Sequence, residues 1–357
     1  MSILFLILLQ IINKREIKLA MNRFKPLAYA AAGLLIGLVN LSYSQVVSGK
    51  RQAIPDGNRQ LILTEPAELF MPGLVSTKNA DVKITFSPDG KHMLWGGIDW
   101  LEDRKDMDIW QSVEVNGQWT KPERVTFDTD SNDFDPFFSP DGSGVYFFSN
   151  RSGGFGGDDI YFASYNKESD RFAEPVNLGP EINTSENEWA PVTNAKGNKF
   201  IFSSNGHGGY GGQDLFVCSI SQTNTRDSSG QSAISVFGKP LFFSKAVNLG
   251  PSINSADNDF DAVVLPDETI VFTAEKMKTS TDKKADLYIS YYNSAGYSPA
   301  VKLPEQINSP EFWTFGPSVN LTEPNYLYFS SHQAKSMGRT DIYRIKFKMI
   351  DNLRYRK

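Results

Sequence analysis

Cysteine and histidine are scarce in this chain, and the shortage narrows the available chemistry. A single cysteine, Cys218, leaves no intramolecular disulfide to form, and a core of this size needs none. It stands in "DLFVCSI", an alternating pattern that predicts a small buried hydrophobe rather than a reactive thiol. Of the three histidines, His92, His207 and His332, the last two fall in loops without a clear third ligand, an arrangement more often solvated than metal-bound. No Gly-x-Ser-x-Gly elbow occurs, so a serine nucleophile has no recognisable seat. The glycine-rich runs "NRSGGFGGD" and "NGHGGYGGQ" lack the lysine and following helix of a phosphate loop. Helical periodicity is also missing over any long stretch.

Positive charge is in deficit. Residues 22–44, "NRFKPLAYAAAGLLIGLVNLSYS", join a basic start, a short apolar core and small residues at Ser42 and Ser44, the plan of a secretory signal cleaved near Gln45. The apolar core falls short of the about 20 residues of a membrane span. Met21 is then a plausible start, and a longer uncleaved anchor is the alternative reading of residues 1–44. Those residues hold five of the 36 basic and one of the 41 acidic side chains, which leaves 31 against 40 and a net charge of −9. Such a surface repels nucleic acid and anionic membranes. Cations, basic proteins and neutral glycans stay open as partners, in the periplasm or outside the cell.

An acidic residue followed by Ile or Leu and an aromatic recurs five times, at Asp108, Asp159, Asp214, Asp286 and Asp341. Before each lies a strand-turn-strand such as "DPFFSPDGSGVYFFS", and after the first four comes a short run such as "FAEPVNL". Each unit therefore holds four strands, A to D, and four strands in about 50 residues describe a propeller blade. The fifth unit lacks its own D strand, while "LILTEPAELFMPGLVST" at residues 61–77 precedes the first A strand. There Leu63, Pro66 and Leu69 match Trp119, Pro122 and Val125. The expectation is an all-β, five-bladed propeller of antiparallel blades over residues 61–347, closed by its N-terminal strand, with six blades as the alternative. Residues 45–60 read as a linker, 221–240 as a loop insertion in the third blade, and 348–357 as a tail.

"FSPDG", "SNRSGGFGG" and "DDIY" together resemble the WD40-like β-propeller repeat of exported bacterial proteins, the type found in TolB propellers. The second unit matches closely; the third and fourth lose the Ser-Pro-Asp-Gly turn, and the fifth keeps only Pro317 and strand C. The resemblance implies a fold more firmly than an activity, because the family includes scaffolds as well as hydrolases and lyases.

Asp89-Gly90 and Asp141-Gly142 read as hairpin turns. The five Asp residues that open strand C read as structural, each accepting amide hydrogens of the preceding loop. Glycine in the B/C loops is expected to allow a tight excursion with Phe155 or Tyr210 tucked beneath it. Aligning the A strands on Ile84, Pro136, Pro191, Ala262 and Pro317 puts Asp81, Asp133, Glu188, Asp259 and Thr314 at one position near the channel mouth. Val82, Phe134, Trp189, Phe260 and Phe315 stand beside them. The bland reading makes these acids loop caps; the sharper one makes them a cation or glycan site with aromatic stacking faces.

Two functions follow. One is a monomeric, non-catalytic binding or scaffolding propeller, with Phe134, Trp189, Phe260, Phe315, Arg151, His207 and His332 on the face that meets a protein or glycan. The other is a carbohydrate-active enzyme using Asp81, Asp133, Glu188 and Asp259. No cofactor is expected, apart from Ca2+ at the acidic mouth.

Overall fold

Runs of aromatic and β-branched residues cut by Gly, Asp and Pro can pair only with their sequence neighbours, and blade 2 shows the result most simply. Its strands are A (Asp133–Phe138), B (Gly144–Ser149), C (Asp159–Asn166) and a D strand in two pieces, Arg171–Phe172 and Val176–Asn177. Each pairs antiparallel with the one before. Pro175, which has no amide hydrogen, divides the D strand at the sheet edge where that loss is tolerated. This plan belongs to a computed structural model that describes residues 59–98, 107–222, 234–236, 239–279 and 282–351. The expected signal segment, most of the linker and the last six residues lie outside the described residues.

The inner strands of the other blades are Ala80–Phe86, Glu188–Thr193, Asn258–Val264 and Thr314–Asn320, and the C strands are Met107–Val115, Asp214–Ser221, Asp282–Ser290 and Asp341–Asp351. These make five blade sheets, and the described residues contain no sixth. Part of the segment read as an insertion is strand: Lys239–Phe243 forms the first piece of strand D in blade 3 and pairs outward with Ile234–Val236.

The ring closes through the chain's N-terminal side. Arg59–Leu63 runs antiparallel along the last strand, from Arg59↔Asp351 to Leu63↔Phe347, and Glu68–Leu69 continues on Arg344 and Tyr343. The ordered pairs thus extend beyond 61 and 347. One detail of the expected register shifts. The Val125 amide donates to the Ile109 carbonyl, and the matching bond in blade 5 comes from Phe70 to Ile342. Phe70, not Leu69, is therefore the counterpart of Val125, because one extra residue follows Pro66.

Aromatic side chains fill the spaces between blades, as where Tyr146 of blade 2 meets Phe200 of blade 3 with ring centroids 5.1 Å apart. Burial of each such side chain contributes about 1.5–3 kcal/mol. The Ile-Asn pairs fasten the blade edges: Asn183, Asn254 and Asn308 each accept the amide hydrogen of a C-strand residue (Ile160, Leu215, Leu287) and donate back to its carbonyl.

Candidate functional site

Every A strand carries a bulge. The pairing register with strand B slips between Val82 and Ile84, Phe134 and Phe137, Trp189 and Val192, Phe260 and Ala262, and Phe315 and Ser318. One residue in each slip takes a left-handed conformation: Lys83 (φ 43), Asp135 (φ 52), Ala190 (φ 52), Asp261 (φ 47) and Gly316 (φ 59). Four of the five are not glycine, so a disfavoured backbone is imposed by the fold at equivalent places. A bulge re-aims the side chain at its extra residue, and here it brings side chains of three blades together.

Lys83, Asp135 and Asp261 meet there, all buried. The Lys83 Nζ lies 3.4 Å from Asp261 Oδ1, and the Gly316 amide donates to Asp261 Oδ2 at 3.1 Å. Burial, and then the charge of Asp261 and a hydrogen bond with it, push the Asp135 carboxyl up to about 8. Asp135 thus favours its protonated form beside Asp261 and Lys83. The cluster is a closed polar network.

The acids at the strand starts lie two residues earlier and turn the other way. Asp81 accepts from the amide and hydroxyl of Thr77, Asp133 from those of Thr129, and Glu188 from those of Thr184; Asp259 accepts from the amide of Ser255. Asp133 also holds Arg151 at 2.6 Å, and Glu188 takes the Ser204 hydroxyl. Thr314 Oγ1 accepts from Ser309. Burial raises Asp81 to about 7 and Asp259 to about 6, and raises Glu188. The recurrent Thr or Ser four residues before each acid carries this pattern in the sequence. Among the described residues no group of three His, Cys, Asp or Glu side chains converges as a metal site would require.

Of the remaining expected binding residues, Phe134, Trp189 and Phe315 join one hydrophobic cluster. Phe134 is buried, while Trp189, Phe260 and Phe315 are half-buried. Trp189 Nε1 donates to Asp158 Oδ2. Arg151 is packed over the Phe147 and Tyr161 rings. His207 contacts the Ile182 carbonyl and His332 that of Gly338. Cys218 is buried, with its thiol pushed up to about 12 by burial.

The C-strand acids divide into two kinds. Asp159, Asp214 and Asp341 accept two loop amides each, whereas Asp108 meets Arg124 and Asp286 meets Lys284 and Lys302. In the first kind the loop is pulled over its carboxylate, and the residue at the tip turns outward. Phe155 and Tyr210 are therefore not tucked under the glycines: they are 52% and 54% exposed, and Met337 at the same position is 46% exposed. The glycines serve a neighbour instead. A Cβ on Gly156 would stand 2.4 Å from the Glu186 carbonyl, one on Gly211 1.9 Å from that of Asp257, and one on Gly338 2.0 Å from that of Asn79. The B/C loops of blades 2, 3 and 5 thus lie flush on the D/A connection entering the next blade. Phe312 and Trp313, in the connection entering blade 5, are exposed on the same face.

Two surface cavities lie on the side of the A/B turns, away from this face. One of about 210 Å³ between blades 2 and 3 is lined by Tyr146, Lys196 and Leu241. The other, about 520 Å³, occupies the seam of blades 5 and 1 beside Phe70, Trp119 and Arg344.

Known proteins of similar shape include TolB from Acinetobacter baumannii (13% identity, TM-score 0.43, 75% of this chain and 54% of that one). A putative TolB from Agrobacterium tumefaciens matches at 12% identity and TM-score 0.42 over 76% of this chain and 90% of its own. An endo-arabinase from Bacteroides thetaiotaomicron matches at 12% identity and TM-score 0.44 over 81% and 97%. This chain thus spans about half the length of the Acinetobacter protein, and the likenesses concern the fold alone. No family model matches the sequence, and no curated protein does. Among the described residues no helix is long and apolar enough to cross a membrane.

Proposed function

We propose that the chain is an exported, non-catalytic binding or scaffolding propeller that holds a protein or glycan partner on the face built by its B/C loops and D/A connections. One observation carries the reading: Phe155, Tyr210, Phe312, Trp313 and Met337, all large and apolar, stand exposed on that single face. The signal-like residues 22–44 support export. A carbohydrate-active role has less support. Its two carboxyls would stand about 5–9.5 Å apart around a sugar, whereas Asp135 and Asp261 are in hydrogen-bond contact and the strand-start acids bind their own loops.

Site-specific photocrosslinking in the native cell tests this. A crosslinker at position 155 or 312 is expected to yield a discrete adduct, while one at the exposed Val115, on the C/D hairpin of the opposite face, yields none. Equal labelling from both faces, or none from either, would overturn the reading.

A further inference from the structure

We infer that this face takes a cationic, arginine-bearing segment of a partner protein at the two junctions that join blades 2, 3 and 4. The inference rests on the reading of the face as a docking surface and names the chemistry of its partner.

At the first junction the Asp159 carboxylate fixes the Phe155 amide at 2.5 Å, and at the second Asp214 fixes that of Tyr210 at 2.6 Å. Both rings are thereby presented to solvent on rigid loop tips. The adjacent glycines, Gly156 and Gly211, allow those tips to rest directly on the backbone of Glu186 and Asp257. Each tip that carries an outward aromatic ring thus rests on the carbonyl of an acidic residue in the next connection, with the Glu186 Cβ turned toward Gly206 of the blade 3 loop, and this couplet is repeated at successive junctions.

Glu186 is exposed and Asp257 half-exposed, and neither carboxylate has an ion-pair partner among the described residues. Asp158 adds a further acid at the first junction. Arg151, the nearest basic loop residue in blade 2, is already committed to Asp133. The closing junction between blades 5 and 1 has the same backbone clamp with opposite character, since there Gly338 rests against Lys78 and Asn79 and the outward residue is Met337. A cation is therefore drawn to one sector of the ring.

Guanidinium meets both halves of the couplet: its plane stacks on an aromatic face while its edge donates to a carboxylate. Phosphate-bearing partners meet repulsion at the same place.

The test is titration of the full chain with acetyl-hexaarginine amide, with hexaglutamate and maltohexaose as parallel probes. Hexaarginine is expected to bind and the other two not. Phe155→Ala with Tyr210→Ala should weaken hexaarginine binding at least ~10-fold, as should Glu186→Gln with Asp257→Asn. Met337→Ala and Glu311→Gln, on the same face outside the couplets, should change it less than about two-fold, which separates stacking from general acidity. Absence of hexaarginine binding, or a Phe155/Tyr210 variant that binds as wild type, overturns the inference. If maltohexaose binds instead and needs the two rings, the cationic partner is wrong and the docking face stands. If the crosslinks from positions 155 and 312 are lost, the face itself is wrong.

Discussion

Lys83, Asp135 and Asp261 in the inner strands and Phe155, Tyr210 and Met337 at the loop tips occupy two sets of equivalent positions in one repeat, yet they are held in opposite ways. In the inner strands the bulge repeats in all five blades while the side chain changes from lysine to aspartate, alanine and glycine. The polar ones must therefore satisfy one another across blades. At the tips the fixed element is a carboxylate drawing in two amides, and the outward side chain is left without an internal partner. A closed network and an open display thus arise from the same architecture, according to whether the repeated backbone points a side chain inward or outward.

The strongest way to break this contrast is at Lys83. Lys83→Met strands the Asp261 charge in a buried setting and should cost about 3–5 kcal/mol in chemical denaturation. Asp261→Asn added to it should recover at least half of the loss. A cost below about 1 kcal/mol would mean that the cluster is not a closed network.

Next comes the clamp. Gly211→Ala drives a methyl into the Asp257 carbonyl and should destabilise by about 2–3 kcal/mol. Gly208→Ala, at φ 74 but facing open space, should cost only about 1 kcal/mol for its left-handed backbone. Equal values would remove the special role of the junction.

A smaller effect is expected with pH. Because the folded chain holds the Asp135 proton up to about 8 and the unfolded chain releases it near 4, the contribution of this group is complete below pH 4. It falls as pH rises through 8. Asp81 and Asp259, raised for the same reason, act in the same direction. Thermal unfolding from pH 5 to 9 should show declining stability, less steep in Asp135→Asn. An unchanged slope would place the proton elsewhere.

Smallest of all, Phe155→Ser with Tyr210→Ser should leave stability within about 0.5 kcal/mol. A larger loss would return these rings to the core.

The blade count and the closing segment were legible because the units share punctuation with a physical cause: the acid at strand C in all five, the Pro that splits strand D in four, and the Asp-Gly turn in the first two. The inner cluster was not. Alternation along "DFDPFF" assigns Asp133 and Asp135 to the same side of a regular strand, and only the bulge separates them. Lysine and aspartate give no notice of a left-handed backbone; Gly316, in the same column, was the single hint. The outward turn of Phe155 and Tyr210 was hidden too, since it follows from the grip of Asp159 and Asp214 on their amides and from a neighbouring blade's backbone.

Arg59 pairs with Asp351, nearly three hundred positions away. During synthesis the first blade-forming strand has no strand to pair with until its partner, Asp341–Asp351, has left the ribosome. Leu61, which packs on side chains of blades 4 and 5, stays unsheltered throughout that wait. Closure must therefore be the last pairing to form, and a chain interrupted before Phe347 would carry every inner strand and still remain an unlatched ring, open to the edges of its neighbours.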